Sequence, residues 1–350
     1  MNPIEQKLIN EIIQAIQELK GYLVDERQVQ IQIPKDHQNG DYSSNIAMRL
    51  AKVFQQKPIE LATELAAYLE QKSDLIEKAE VAGPGFLNFW VKQDELTSVI
   101  SKVIEMDQDY GRNDSGNQLK INVEYISVNP TGLLHMGHAR GAAWGDSITR
   151  LMKFSNYEVT REYYVNDGGN QIEALVYSLL ERYKQFHGLD YQLPEDGYHS
   201  EDLLEIVEQL NQRHGREFLD WPLAKQLAVL EDEGVELELA RIKSDLKKFN
   251  VEMDVYTSEK AIREQFDMED LLEQLRQAGY VYQEDGAQWF KSSVFGDDKD
   301  RVLKKSDGTY TYLTPDILYH KYKLDRGFKK LINIFGADHH GYIPRLKAAI

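Results

Sequence analysis

The sequence predicts an α/β protein, a parallel-sheet domain over residues 121–350 preceded by a small α+β unit over residues 1–110. Three observations predict it. Apolar, β-branched runs at 121–127, 158–165 and 331–335 alternate with segments of helical period, the pattern that builds a parallel sheet. Before residue 110 the pattern differs, with helical stripes interleaved among short alternating strands. Between the two lies the polar, turn-rich stretch 109–117 (DYGRNDSGN), so the boundary falls there and the linker is placed at 111–120.

In the first unit, Ile4, Leu8, Ile12, Ile13, Ile16 and Leu19 recur at helical spacing before Gly21. Residues 29–33 (VQIQI) alternate like a half-exposed strand that ends at Pro34. Gly40-Asp41 turns the chain into a helix through Leu50 and Phe54, Pro58 opens another to about Leu69, and the Gly83-Pro84-Gly85 turn leads into an aromatic strand. In the second unit, 121–127 is the first strand, a helix runs from about Gly137 to Phe154, 158–165 is the second strand, and a helix starts near Gln171. Residues 190–285 are acidic, helical in pattern and poor in strand signals, so they are expected to form a helical insertion. The sheet is expected to resume near 288–290, continue through 309–312 and end in a late strand at 331–335.

At 350 residues and 42% hydrophobic content, the chain can bury the cores of two or three domains. No run approaches the roughly 18 consecutive apolar residues of a membrane span, and residues 1–6 lack a signal-peptide pattern. A cytoplasmic protein with no membrane partner is expected. Zero cysteines exclude disulfides, thiolate chemistry and the usual ligands of a structural zinc. The net charge of −17 argues against a protein that coats nucleic acid indiscriminately. Its distribution is uneven: residues 201–290 hold 22 acidic and 10 basic side chains (net −12), whereas 291–350 hold 7 acidic and 12 basic (net +5). A polyanion could approach the second region, although solvated acidic helices explain the first equally well.

The segment 129–141 (NPTGLLHMGHARG) joins the first strand to a helix, at the carboxyl edge where parallel sheets bind ligands. A helix N-terminus offers free N–H groups and a positive dipole end, which suits phosphate. His135 and His138 flank that terminus and can both donate hydrogen bonds to one polyphosphate, while Gly137 between them leaves room for a flat base against backbone. A His-x-Gly-His tetrapeptide alone is a weak signal. Its placement, strand before and helix after, sharpens it.

The whole string resembles the first signature of the class I aminoacyl-tRNA synthetases, and the preceding 123–132 (VEYISVNPTG) is similar to the arginyl branch. Three further segments resemble that branch in the same order: 163–171 (YYVNDGGNQ), 306–316 (SDGTYTYLTPD) and 335–342 (FGADHHGY). The resemblance implies a Rossmann-like catalytic sheet that binds ATP through His135, Gly137, His138, Gly336, Asp338 and His339. It implies L-arginine held by Glu124, Asn129, His135, Tyr312, Asp316 and His340, with His135 and His138 catalytic. Mg²⁺ would accompany the ATP, the tRNA for arginine would be the second substrate, and the parent enzyme would be a monomer. The N-terminal unit, with 34–36 (PKD) and 39–42 (NGDY), resembles the family's appended domain, which contacts the elbow of tRNA.

Elementary chemistry supports an arginine pocket too. A guanidinium is a planar, permanently charged fork, best held by carboxylates beside an aromatic face, and Glu124, Tyr312 and Asp316 supply that set. Each has a plainer reading: Asp316 follows Thr314-Pro315 and can cap a helix, Glu124 can be a strand-end residue, and Asn129-Pro130 can be a turn. Asp167 and Asp338 divide evenly between cap or strand end and ligand contact. His339-His340 stand where the arginyl enzymes of eukaryotes carry glutamines. The family's K-M-S-K-S loop is not found, since Lys304-Lys305-Ser306 precedes the Tyr312/Asp316 segment rather than following the late strand. A helical anticodon-binding domain is missing as well, so a C-terminally truncated fragment is expected, with arginine–tRNA ligase as the parent activity. Two rivals stand beside that reading: a non-catalytic fragment that binds tRNA or a partner, and another adenylating ligase of the same sheet type.

Overall fold

The computed structural model describes residues 3–350, apart from the side chains of His37, Ala337, Asp338 and His339. It divides between Tyr110 and Gly111 into two compact units.

The first unit opens with α1 (Pro3–Lys20), whose apolar stripe buries Ile4, Leu8, Ile12 and Ile16. It continues through β1 (Ile31–Gln32), β2 (Tyr42–Ser44), α2 (Ile46–Leu50), α3 (Pro58–Lys72), β3 (Ile76–Ala82), β4 (Phe86–Val91) and α4 (Gln93–Met106). The four strands form an antiparallel sheet in the order β1-β2-β4-β3. Pro58 sits at the start of α3, where its missing N–H and fixed φ suit a first helical turn. Gly40 must be glycine: its φ is +92°, and a Cβ there would lie 2.7 Å from the Phe89 carbonyl oxygen. The alternating 29–33 run gives only the two-residue β1, because a 3-10 turn at Glu26–Gln28 precedes it and Pro34 removes the next donor.

The second unit contains β5 (Lys120–Tyr125), α5 (Met136–Phe154), β6 (Glu158–Val165), α6 (Asn170–Phe186), α7 (Leu203–His214), α8 (Leu223–Lys248) and β7 (Val255–Ser258). After these come α9 (Glu259–Gln265), α10 (Met268–Gln277), β8 (Val281–Glu284), β9 (Ala287–Phe290), β10 (Arg301–Lys304), α11 (Leu313–Asp325), β11 (Lys330–Ile334) and α12 (Ile343–Ala349). The main sheet is parallel in the order β11-β5-β6-β7. Chain order therefore reverses between β5 and β11, and the crevice beyond their carboxyl ends is where such sheets bind ligands. Among the described residues no helix is long and apolar enough to cross a membrane.

Two expectations about strands are corrected. Val255–Ser258 lies inside the span expected to be a helical insertion, yet it is the edge strand of the parallel sheet. With four residues, three half-buried and Thr257 buried, it is too short to show a period. The sheet does not resume at 288–290: β8, β9 and β10 form a separate antiparallel sheet, and Tyr310 contributes one bridge to Lys304. The β8–β9 hairpin turns on Asp285-Gly286, both at positive φ, an Asp-Gly pair that signals a two-residue hairpin.

Helix α5 presses closely on β5. A Cβ at Gly145 would lie 2.2 Å from the Tyr125 ring, which is fully buried. Gly145→Ala should therefore destabilise the second unit by about 1–3 kcal/mol, the usual cost of overpacking. Urea unfolding followed by tryptophan fluorescence tests this, and an unchanged midpoint would contradict the close approach.

Candidate active site

The site is built at the end of β5. Ile126 and Ser127 take φ values of 72° and 35°, and a β-branched residue in that region stores about 1–3 kcal/mol of strain. Two bonds from β6 hold the bend: Tyr164 N donates to Ser127 Oγ at 3.0 Å, and Tyr163 Oη donates to the Val128 carbonyl at 2.7 Å. The bend carries the chain over the sheet edge and delivers the N-terminus of α5 to a cleft of about 970 Å³. Asn129, His135, Gly137, His138 and Gly336 all line it.

His135 caps α5, its Nδ1 accepting from Gly137 N at 3.1 Å, while His138 Nδ1 accepts from His135 N at 3.3 Å. The two rings stack with centroids 3.6 Å apart. Because both Nδ1 atoms accept, the proton of each neutral ring resides on Nε2. Burial, and then the neighbouring His135, lower the pKa of His138, so its neutral form prevails at pH 7. A ligand thus meets a positive helix end and two imidazole N–H donors, an arrangement suited to phosphate oxygens.

A smaller pocket of about 220 Å³ shares Ile126, Ser127, Tyr164, Ile334, Phe335 and Gly336 with the cleft. Its acidic wall comes from α11, where Asp316, Tyr319, His320 and Lys323 recur at i, i+3, i+4 and i+7 on one face. The Asp316 carboxylate accepts from Tyr342 Oη. Burial is the main reason its pKa is raised to about 6; Tyr342 pulls the other way, and the nearby charges of Glu124 and Glu259 push it further up. His320 Nδ1 donates to the Asp316 carbonyl at 2.7 Å, which leaves Nε2 to accept from Asn333 Nδ2 at 3.0 Å. Asn333 Nδ2 also reaches Glu124 Oε2 at 3.2 Å. Burial first, and then the charge of Lys323, depress the His320 pKa and keep it neutral.

Beneath the pocket, Glu124 on β5 lies directly opposite Glu162 on β6, an unfavourable like-charge pair inside a sheet. Helix α11 answers it with two cations three residues apart. Lys323, wholly buried, donates to Glu124 and lies 4.1 Å from the Tyr319 ring centroid. Arg326 donates to both oxygens of Glu162 at 2.8 and 3.0 Å. Glu162 also accepts from Asn122 at 2.6 Å, Thr257 at 2.7 Å and Tyr319 at 3.0 Å. Burial drives the Glu124 pKa up, but the charge and hydrogen bond of Lys323 outweigh it, so the net shift is downward.

Of the residues expected at a site, His135, Gly137, His138 and Asn129 line the cleft, Glu124 and Asp316 line the pocket, and Gly336 lines both. Tyr312 is not brought to either. It precedes α11 and is 86% exposed, because the buried face of α11 begins at Leu313. His340 is exposed and lines neither cavity. The side chains of Asp338 and His339 lie outside the described residues. Asp167 accepts from Lys260 N at 2.9 Å, so it serves the first turn of α9, not α6. Sequence reasoning passed over Tyr319, His320, Lys323, Asn333, Tyr342 and Glu259. A polar stripe at helical spacing downstream of Asp316 was the available signal for the first three, whereas Glu259, whose charge reaches Asp316 and which bonds to Tyr164, had none.

Comparison with known proteins places two family models on the chain: "Arginyl tRNA synthetase N terminal domain" at residues 6–91 and "tRNA synthetases class I (R), catalytic domain" at residues 99–346. The chain is 48% identical to the arginine–tRNA ligase of Bacillus subtilis, covering 100% of this chain and 64% of that protein. It is also 48% identical to that of Geobacillus kaustophilus, covering 99% and 62%. The chain therefore spans less than two thirds of the length of these relatives. The Thermus thermophilus arginyl-tRNA synthetase superposes with a TM-score of 0.59 at 24% identity, covering 91% of this chain and 53% of that one, a likeness in fold.

Proposed function

This chain belongs to the arginyl-tRNA synthetases of class I, and from that membership we propose that its second unit activates L-arginine with ATP for transfer to the tRNA for arginine. The observation that carries the reading is the joining of two cavities of unlike chemistry. One is a phosphate-suited helix end; the other holds a half-buried carboxylate, Asp316, bonded to Tyr342 and to no cation among the described residues. Glu124 already has Lys323 as its counter-charge and Glu259 has Arg263, so the guanidinium is assigned to Asp316. An arginine so held would direct its carboxylate along the shared wall toward the cleft. One carboxylate oxygen attacks the α-phosphorus, the bond to the bridging oxygen breaks, and pyrophosphate leaves with arginyl-adenylate retained. His135 and His138 donate Nε2–H bonds to the phosphate oxygens as charge develops there. The terminal ribose hydroxyl of the tRNA then attacks the acyl carbon and AMP departs.

Among the described residues no group of three metal-ligating side chains occurs, so magnesium would be held chiefly by the nucleotide's own phosphates. We assign the first unit to the elbow of the tRNA, and the reaction to the cytoplasm.

Calorimetric titration tests the pocket. L-Arginine should bind saturably, and L-citrulline, which has nearly the same shape without the charge, should not; equal binding of both would refute a carboxylate-lined guanidinium site. The pH dependence follows from Asp316. Arginine binds its ionised form, so affinity should be level above about pH 6 and fall up to tenfold per unit below it, as the carboxyl takes a proton that arginine must displace. A flat profile between pH 5 and 7 would contradict this assignment.

A further inference from the structure

We infer that Trp144 is the wall against which the purine ring of the nucleotide packs, a specificity-determining contact that rests on reading the large cleft as a nucleotide site. Along α5, Gly137, Gly141 and Trp144 stand at i, i+4 and i+7, so they follow one another along a single helix face. All three line the cleft. The first two carry no side chain, and a Cβ at Gly141 would meet nothing within 4 Å, so this face is an open shelf. At its far end stands an indole that is 64% exposed. The inward face of the same helix is formed by Ala142, Gly145, Asp146 and Thr149, so the fold does not use Trp144 as a core residue. Among the described residues it is also the only exposed tryptophan.

A large aromatic side chain left uncovered inside a cleft is a surface awaiting a flat partner. The position identifies that partner. The His135 and His138 pair marks the phosphate end, and Trp144 lies six residues beyond His138, about 9 Å along the axis at 1.5 Å per residue. A nucleotide with its phosphates at the helix N-terminus and its ribose over the glycines would bring its base to the indole, so that Gly137, expected to lie under the base, would lie under the ribose instead. Stacking on an indole favours any base over none, and a broad purine over a small pyrimidine, without hydrogen bonds.

The test compares the wild-type chain with Trp144→Ala and Trp144→Phe by calorimetry, using ATP and inorganic tripolyphosphate, which keeps the phosphates and lacks the base. Trp144→Ala should weaken ATP about tenfold, the loss of one base–aromatic stack, and leave tripolyphosphate unchanged, while Trp144→Phe should recover most of the ATP affinity. ATP should quench the wild-type indole emission, tripolyphosphate should not, and the quenching should vanish in Trp144→Phe. Equal ATP affinity in wild type and Trp144→Ala would overturn the inference, and so would parallel loss of ATP and tripolyphosphate, which would mean that the indole only supports the helix end. A wild-type chain that binds tripolyphosphate as tightly as ATP, or neither, would instead remove the nucleotide reading of the cleft.

Discussion

Lys323→Met should destabilise the second unit by about 3–5 kcal/mol, the cost of leaving a buried carboxylate without its counter-charge. Methionine matches the length of the lysine stem and keeps the apolar packing, so the loss isolates the charge. Lys323 is wholly buried, and Glu124, its partner, faces a second carboxylate across the sheet at Glu162. With the ammonium gone, Glu124 is left with neutral hydrogen-bond partners, Asn333, Ser127 and Tyr319, and must either protonate or bring in water. The double variant Lys323→Met/Glu124→Gln removes both charges and should recover most of the loss, since a buried pair replaced as a unit is often nearly neutral. The pH dependence has a definite sign. The folded-state pKa of Glu124 is depressed, so its stabilising contribution is present above the ordinary glutamate range and is lost as pH falls through the folded value. Urea denaturation of the single and double variants reads this; a single-variant loss below 1 kcal/mol would mean that Glu124 is not ionised in the folded chain.

That prediction depends on a contact between residues 199 positions apart, and no local pattern announces it. What the sequence does announce is local. The strand-then-helix passage around His135 and His138 is written in adjacent residues, and β6 occupies the span its β-branched and aromatic residues mark out. Where an element is short, the pattern fails: β7 offers Val255, Tyr256 and Thr257, three residues that would suit a strand anywhere, and only the uncovered edge of β6 recruits them. Tyr312 and Asp316 show a subtler limit. They are four residues apart in one segment and chemically suited to the same ligand, but helix α11 begins between them, so one is 86% exposed and the other is half-buried against the pocket. The histidine tautomers depend on two backbone N–H groups of a capped helix end, geometry that composition does not contain. Residue types that suit a ligand were therefore legible, while the side that each residue faces was not.

Asp316→Asn should weaken L-arginine by about 2–5 kcal/mol, roughly thirtyfold or more, while leaving the folded chain at least as stable as the wild type at pH 7. The two effects have opposite signs for one reason. In the empty pocket the Asp316 carboxyl has a pKa raised to about 6, so the folded state resists its charge. Stability that this group allows at low pH is lost as pH rises from the ordinary aspartate range to about 6, because there the folded state holds a proton that the unfolded chain releases. Asparagine has the same shape, can still accept from Tyr342, and carries no charge to resist, so the penalty disappears. A bound guanidinium reverses the balance: it needs the charge, and a buried cation facing a neutral amide loses most of its attraction. Calorimetry supplies the affinity and thermal unfolding supplies the stability. Unchanged arginine affinity would remove the guanidinium from Asp316, and a large fall in stability would mean that Asp316 is a structural carboxylate like Glu162, satisfied within the fold and not held open for a ligand.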